Sequence, residues 1–351
     1  MLLTRSASAR TLEEPGFLVF ITKECLSSSG RFFELDQPVN VELKIKSSTQ
    51  TTMLYFYSNR GLYLTPLHGA GEAGYWRYWT RMKIKLLIES IAVLVLALLT
   101  GCTSLQGSTT ERIDNRQVEY ALVMHNTETV VFENGLGGRI EWWAKVFPEI
   151  SKDTTAFVYN RPGYGKSDLV STPRDGIHVV DELRLLLRSK GLNPPYILVG
   201  HSLGGLYMQL FARRYPDEVR SLILVDSTHP AQFKGKGSPE NWPTWFHLAY
   251  GLATSAVEKE EMNAINTTGE SVLSLPPFVG KPIIILSAVQ PMKEKSELAD
   301  DANEKRKDFV RLYPGSKQLW VDSGHGIPLE KPEAVISAIR EVLSSIKPGT
   351  L

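Results

Sequence analysis

Between residues 112 and 346, short apolar runs alternate with segments whose apolar residues recur at helical spacing. The runs are rich in β-branched residues and end in glycine, proline or asparagine, which is typical of buried strands. The pattern predicts strands at 117–125, 129–133, 154–159, 196–199, 221–225, 282–286 and 318–321. It predicts helices at 142–150, 179–189, 203–215, 302–312 and 332–346. Such alternation indicates an α/β fold, a mostly parallel sheet with helices on both faces.

The alternation stops between residues 228 and 281, and this stretch is rich in aromatic residues, among them Trp242, Trp245, Phe246 and Tyr250. We interpret it as a small cap insertion. It would form either a lid over a site at the strand ends or a packed helical excursion. In both cases we expect it to shape specificity.

The chemistry should lie where the strands end, because ligands of parallel sheets bind at the carboxyl ends of the strands. After the predicted strand 196–199, residues 200–205 read Gly-His-Ser-Leu-Gly-Gly and lead into a predicted helix. This G-x-S-x-G motif in a strand–turn–helix context resembles the nucleophile elbow of the α/β-hydrolase fold. The resemblance spans about residues 115–346 and is most specific over 194–230. It implies that Ser202 is a nucleophile, against the alternative of a glycine-rich turn with a surface serine.

A serine nucleophile needs an imidazole base, and in this fold the chain order is serine, acid, histidine. His229, His247 and His325 follow Ser202. His325 lies between two glycines after the last predicted strand, so we predict that it is the base. His229 is the second choice, and a surface histidine is the alternative.

The acid departs from the commonest pattern of the family, in which it follows the penultimate strand. Here that strand ends Ile-Leu-Ser-Ala-Val-Gln, without a carboxylate. The preceding strand ends at Asp226, which we predict to be the acid. Asp300, Asp301 and Asp322 remain rivals, and Asp226 could instead cap the following turn.

The resemblance also implies an oxyanion hole. Residues 134–138, Asn-Gly-Leu-Gly-Gly, follow the strand 129–133, and the backbone N–H groups of Leu136 and Leu203 would bind the developing oxyanion. Trp142 and Trp143 either line an acyl pocket or pack in the core. Residues 160–163, Asn-Arg-Pro-Gly, resemble the family's Asp-Arg-Pro-Gly turn, which we interpret as structural.

Composition and motif content argue against several classes of function. The 351 residues are 42% hydrophobic with a formal net charge of +1 and no long basic run, which argues against nucleic-acid binding. Cys25 and Cys102 are the only cysteines, and HExxH, CxxC and EF-hand motifs are absent from the sequence. The motifs therefore suggest no metal site, and the resemblance to α/β-hydrolases implies that no cofactor is needed.

Residues 82–102 have the features of an export signal. A basic start at 82–85 precedes an apolar run at 90–99, which is too short to span a bilayer. The sequence Leu-Thr-Gly-Cys at 99–102 resembles the lipobox of bacterial lipoproteins. That resemblance implies cleavage before Cys102, lipidation of its thiol and a protein anchored to a bacterial envelope membrane. The alternative is a buried helix with a chance cysteine.

The position of this signal suggests the domain organisation. We expect residues 1–81 to be an untranslated or disordered extension, with translation beginning at Met82. If the extension is real, the lipobox is unused and the protein is cytoplasmic. Residues 103–111 are predicted to be a flexible tether, and residues 112–351 the hydrolase domain with the cap at about 228–281.

The resemblance implies a serine hydrolase that cleaves a small-molecule carboxylic ester, with a Ser-His-Asp triad and an acyl-serine intermediate. Thioesters, lactones and amides remain open. Serine at the elbow argues against dehalogenase and epoxide-hydrolase chemistry, which uses a carboxylate nucleophile. The alternatives are a catalytically inactive, membrane-anchored binding module on the same fold and an acyltransferase.

Overall fold

The computed structural model describes the backbone of residues 42–48, 51–58 and 61–66, and backbone with side chains for residues 105–244, 254–289 and 296–346. The chain divides into two units, residues 1–98 and 99–351. In the first unit, β1 (Glu42–Ser48), β2 (Thr51–Ser58) and β3 (Gly61–Pro66) form an antiparallel sheet in that order. The sequence pattern predicts no element there. The signal at 82–102, with Cys102, lies outside the described residues.

The second unit is built on an eight-stranded sheet. Its strands are β4 (Ser108–Ile113), β5 (Arg116–Val123), β6 (Thr129–Glu133), β7 (Thr155–Tyr159), β8 (Tyr196–His201), β9 (Val219–Val225), β10 (Ile283–Ala288) and β11 (Lys317–Val321). The strand order is β11-β10-β9-β8-β6-β7-β5-β4. The six strands from β11 to β7 in this order are parallel, and β5 and β4 add antiparallel pairs at one edge.

Helices connect the parallel strands. They are α1 (Phe147–Ile150), α2 (Gly176–Ser189), α3 (Leu203–Arg214), α4 (Ala256–Asn263), α5 (Ile265–Ser274), α6 (Glu297–Leu312), α7 (Ile327–Glu330) and α8 (Pro332–Ser345). Single 3₁₀ turns lie at Ile140–Trp143, Pro216–Glu218, Gly235–Gly237 and Pro239–Asn241. None of the helices in the described part of the chain is long and apolar enough to cross a membrane.

The core lies on both faces of the sheet because successive strand residues point to opposite sides. In β8, Tyr196 and Leu198 join one apolar cluster with residues of α2, α3, α5 and α6, whereas Ile197 and Val199 join a second with residues of α1 and α8. Burial of each large aliphatic side chain contributes about 1.5–3 kcal/mol. The predicted α/β fold, with helices on both faces of a mostly parallel sheet, is confirmed.

Several element boundaries differ from the sequence prediction. Residues 108–111 of the predicted tether belong to β4, an edge strand whose mostly exposed Ser, Thr, Glu and Arg side chains leave no apolar signal. The predicted helix 142–150 is broken into a 3₁₀ turn and α1. Helices α2 and α6 begin earlier than predicted, because Asp175 and Ser296 accept N-cap hydrogen bonds from their first turns.

The segment between β9 and β10 contains the stretch that sequence analysis interprets as a cap insertion. Its described part holds the two short 3₁₀ turns at 235–241 and helices α4 and α5. Ser255 begins α4 with a capping box that includes Glu258. In α5, the hydroxyl of Thr268 accepts a hydrogen bond of 2.9 Å from the backbone N–H of Gly176, which ties the insertion to the start of α2.

Candidate active site

Ser202 occupies the sharp turn between β8 and α3. Its backbone has φ 52° and ψ −122°, a strained conformation for a residue with a side chain. The turn is held by hydrogen bonds from the N–H of Ser202 to the carbonyl of Val225 and from the N–H of Thr228 to the carbonyl of Ser202, at 3.1 and 2.9 Å. The strain places the hydroxyl above the carboxyl end of the sheet.

The glycines around Ser202 leave no space for side chains. A β-carbon at Gly200 would stand 2.6 Å from the carbonyl oxygen of Gly204. A β-carbon at Gly204 would stand 2.4 Å from the carbonyl oxygen of Asn134 at the end of β6. The G-x-S-x-G pattern therefore reflects the close approach of α3 to β6 and β8.

His325 lies in the loop between β11 and α7 and bridges two of the predicted residues. Its Nε2 is 2.9 Å from Oγ of Ser202, and its Nδ1 is 2.5 Å from Oδ2 of Asp226. Because a carboxylate only accepts, Nδ1 donates to Asp226, and in this tautomer Nε2 is free to accept the hydroxyl proton of Ser202. The structure thus brings together the three side chains that the sequence singles out.

Asp226 follows β9 with a left-handed φ of 38° and is buried. Besides His325, it accepts hydrogen bonds from Arg306 Nε at 2.7 Å and Nη2 at 2.9 Å and from the Ala288 N–H at 3.1 Å. Burial alone would raise the pKa of Asp226. The hydrogen bonds from Arg306 and His325 outweigh burial and hold that pKa well below its usual value.

The rival residues are placed elsewhere. Asp300 and Asp322 are exposed, and Asp301 forms an ion pair with Lys305. His229 is buried against Asp308 at 3.1 Å, where burial lowers its pKa more than Asp308 raises it. His247 lies outside the described residues.

The loop after β6 lies beside Ser202. A β-carbon at Gly135 would stand 3.0 Å from Cβ of Ser202. Leu136 follows, and its backbone N–H forms no hydrogen bond within the described part of the chain. Leu203 is the first residue of α3, so its N–H has no intrahelical acceptor. Both N–H groups are therefore available to a ligand.

His201 contacts His325 through the backbone of that residue. It is buried, and its Nε2 donates a 2.9 Å hydrogen bond to the carbonyl of His325. Its ring stacks on Trp142, with the ring centroids 5.0 Å apart. Burial and the nearby His325 lower the pKa of His201 to about 3, so it stays neutral. Trp143, by contrast, packs in the core against Phe132.

Arg161, in the turn after β7, binds residues of β6, of the loop that carries Leu136 and of α4. All five of its N–H groups donate to buried acceptors. Those acceptors are both carboxylate oxygens of Glu261 at 2.8 Å, Glu133 at 2.7 Å, and the carbonyls of Asn134 and Gly135 at 2.6 and 2.9 Å. The turn that sequence analysis interprets as structural thus holds the loop of Leu136 to the cap.

Helix α4 of the cap lies directly on both loops. A β-carbon at Gly137 would stand 2.6 Å from Oε1 of Glu258, and one at Gly163 would stand 2.7 Å from Cγ2 of Val257. Helix α4 is therefore packed against the loop that carries Leu136 and against the turn after β7.

Sequence reasoning missed Arg306 and Glu261. Both lie in charged helical segments, Glu-Lys-Arg-Lys-Asp at 304–308 and Glu-Lys-Glu-Glu at 258–261. In such runs a buried charge has the same sequence signal as its solvated neighbours, so only the fold reveals the pairing.

Known proteins are similar to this chain. A sequence model of the family described as alpha/beta hydrolase fold matches residues 128–322. The uncharacterized protein YbdG of Bacillus subtilis is 24% identical over 276 residues, which cover 67% of this chain and 85% of YbdG. The (lyso)-N-acylphosphatidylethanolamine lipase of Bos taurus is 32% identical over 121 residues, 32% of this chain and 35% of the lipase.

Among solved structures, an alpha/beta hydrolase fold protein from Burkholderia ambifaria is 14% identical, with a TM-score of 0.52. The match covers 68% of this chain and 98% of that protein. This likeness concerns the fold.

Proposed function

The chain belongs to the α/β-hydrolase fold family, and we propose that it is a serine hydrolase that cleaves a carboxylic ester or a related acyl substrate. The observation that carries the proposal is the continuous chain from Ser202 Oγ through His325 to Asp226, with contacts of 2.9 and 2.5 Å. An imidazole held between a serine and a carboxylate is the arrangement that activates a serine nucleophile.

In the first half of the reaction, Oγ of Ser202 attacks the acyl carbon while Nε2 of His325 takes the hydroxyl proton. The electron pair of the carbonyl π bond moves to the carbonyl oxygen, which becomes an alkoxide. Asp226 stabilises the imidazolium that forms. When the tetrahedral intermediate collapses, the C–O bond to the alcohol breaks and His325 returns the proton to the leaving oxygen. The product is an alcohol and an acyl-Ser202 ester.

In the second half, water replaces the alcohol. His325 takes a proton from the water as its oxygen attacks the acyl-serine carbon. Collapse of the second intermediate returns that proton to Oγ of Ser202 and releases the acid. The backbone N–H groups of Leu136 and Leu203 would donate to the oxyanion in both halves, and each such donor contributes about 3 kcal/mol to transition-state stabilisation.

The substrate proposed is a small acyl ester, with lipid-like esters included. The support is the bovine relative, whose name describes a lipase, although the similarity covers only about a third of either chain. The cap would restrict acyl length, and the close approach of α4 to the Leu136 loop supports this part of the proposal.

The test is hydrolysis of a p-nitrophenyl ester series from acetate to palmitate by the full chain, with Ser202→Ala as the matched control. The proposal expects turnover of at least one ester and its loss in Ser202→Ala. A folded protein with no turnover above the Ser202→Ala background across esters, thioesters and lactones would favour the binding-module alternative. Alkyl-ester products formed with added alcohol would instead indicate an acyltransferase.

We further propose that the protein is a membrane-anchored lipoprotein, lipidated at Cys102. The support is the order of basic, apolar and lipobox-like segments over 82–102. Growth of a bacterial host that expresses the chain from Met82, with an alkyne analogue of palmitate in the medium, tests this. We expect label on the wild type and none on Cys102→Ala, and an unlabelled wild type would refute the proposal.

A further inference from the structure

The carboxylate of Asp226 has more partners than a triad acid requires. His325 and Arg306 Nη2 share Oδ2, at 2.5 and 2.9 Å, while Arg306 Nε and the Ala288 N–H share Oδ1, at 2.7 and 3.1 Å. Ala288 ends β10, the penultimate strand, after which the commonest family pattern would have the acid. In this chain the acid comes from the neighbouring β9, and the strand end that lacks a carboxylate binds it through the backbone.

The position of Arg306 is held by its own hydrogen bonds and by its burial. It lies in the middle of α6, its Nη1 donates to the carbonyl of Ala302 at 3.1 Å, and its side chain is 11% exposed. Gln318 of β11 donates to the carbonyl of Arg306 at 2.8 Å. The bidentate contact with Asp226 is the geometry in which a guanidinium holds a carboxylate in one orientation. The Asp226 side chain on the strained residue after β9 is thus held from α6.

Building on the proposed function, we propose that Arg306 is a positioning residue of the Ser202–His325–Asp226 triad. It fixes Asp226 toward His325, and its charge limits how strongly Asp226 stabilises the protonated imidazole. It acts through Asp226 and does not touch the reacting atoms.

The physical reason is the sharing of Oδ2. A cation on the same oxygen as His325 lies within a few ångströms of the imidazole, and a like charge at that distance disfavours protonation of the ring. It also draws electron density from the carboxylate that would otherwise stabilise the imidazolium.

Other charged or titratable groups lie near Asp226 and His325. His201 from the end of β8 has its ring centroid 4.8 Å from that of His325 and stays neutral. Glu330 of α7 accepts the N–H of Gly324 at 2.8 Å, beside His325. On α6 itself, Lys305 is paired with Asp301. His201, Glu330 and Lys305 do not contact the Asp226 carboxylate, whereas Arg306 binds both of its oxygens.

Loss of Arg306 has two opposed effects on the titration of His325. Drift of Asp226 away from His325 would lower the midpoint, and removal of the cation would raise it. In the proposal the charge effect is the larger one, because the Ala288 N–H continues to hold Oδ1 of Asp226. The direction of the shift therefore tests the charge effect, and the kinetics of Arg306→Lys test the positioning.

The first test follows the imidazole signals of the full chain by NMR as pH is varied, with the His325 signal identified by its absence in His325→Gln. We expect Arg306→Gln and the apolar Arg306→Met to raise the His325 midpoint by roughly one pH unit. Lys307→Gln is the matched control, since Lys307 is exposed on the same helix and bound to Glu304. It should leave the midpoint in place. An unchanged or lower midpoint in folded Arg306→Gln overturns the proposal.

The second test is kinetic. The acid limb of the pH profile of kcat/KM for p-nitrophenyl butyrate should move upward in Arg306→Gln in parallel with the NMR midpoint. Arg306→Lys keeps the charge but not the bidentate contact, so kcat should fall several-fold while the acid limb stays near that of the wild type. Should the neutral variants not fold, Arg306→Lys with wild-type kcat overturns the positioning role.

The two proposals fail differently. A wild-type chain that neither hydrolyses esters nor reacts at Ser202 removes the proposed function, whatever Arg306 does. A midpoint that does not rise in Arg306→Gln removes the role of Arg306 and leaves the proposed function standing.

Discussion

Glu261 of the cap helix α4 forms two hydrogen bonds of 2.8 Å with Arg161 of the β7 turn, and both side chains are buried. The same guanidinium donates to the carbonyls of Asn134 and Gly135. The cap and the loop that carries Leu136 are therefore fixed by one side chain, so the position of the cap and the shape of the proposed oxyanion hole are mechanically linked.

Glu261→Gln should be strongly destabilising. It leaves the Arg161 charge buried with Glu133 as its remaining direct counter-ion, and removal of one partner from a buried pair costs about 3 kcal/mol or more. Urea unfolding measures the loss. Glu304→Gln is the matched control because Glu304 is exposed, and it should change the free energy of unfolding by less than about 0.5 kcal/mol. Equal stability of Glu261→Gln and the wild type would contradict the network.

Asp226→Asn should lower kcat by roughly 10³- to 10⁴-fold with little change in KM. The amide can offer Nδ1 of His325 a donor instead of an acceptor, which favours the wrong tautomer and removes the charge that stabilises the imidazolium. Steady-state kinetics with the best p-nitrophenyl ester measures the loss. A kcat within tenfold of the wild type would mean that another group acts as the acid.

Gly204→Ala should impair both stability and turnover. The new methyl would stand 2.4 Å from the carbonyl oxygen of Asn134, so the end of β6 and the Leu136 loop must move. Overpacking of this kind costs about 1–3 kcal/mol, and a small displacement of an oxyanion donor costs about 10²-fold in kcat.

The matched control is Gly191→Ala, whose methyl meets open space at a φ of 70° far from the site. Backbone strain should destabilise it by about 1–2 kcal/mol while kcat stays unchanged. If Gly204→Ala kept wild-type kcat, the proposed placement of the oxyanion loop would be wrong.

His201 should make stability depend on pH. Its pKa is about 3 in the folded chain, whereas an unfolded histidine has a pKa of about 6.5. Between those values the unfolded chain binds one more proton, so stability is complete above pH 6.5 and falls by about 1.4 kcal/mol per unit as pH is lowered toward 3.

Unfolding in urea at pH 7 and pH 5 measures this dependence. The wild type should lose roughly 2 kcal/mol more than His201→Gln over that interval. His178→Gln, at a partly exposed position in α2, should keep the wild-type dependence. The same loss in His201→Gln as in the wild type would show that His201 is not the group that titrates.

The parts of the fold that the sequence predicts are those with an apolar signal. Strands such as β6 and β8 are buried along their whole length, so each reads as a short apolar run. Strand β4 is missed because it is a polar edge strand, and α4 is missed because Val257 and Met262 are the only large apolar side chains among its eight residues, too few for a helical pattern.

Site residues, too, can be predicted from sequence where they lie next to a strand with an apolar signal. Ser202, Asp226 and His325 can be found from sequence because each follows a strand, and the carboxyl ends of parallel strands meet at one edge of the sheet. Arg306 and Glu261 cannot be found in this way. Their partners lie 80 and 100 residues away in the chain, and nothing in a charged helix indicates which charge turns inward.

The most direct measurement of the central claim is the reaction of the full chain with a fluorophosphonate, which forms a stable adduct only with an activated serine. Intact mass and peptide mapping should show one adduct per chain on Ser202, with none in Ser202→Ala and a rate at least 10³-fold lower in His325→Ala. A folded wild-type chain that forms no adduct, or forms it on another residue, would contradict the proposed serine hydrolase.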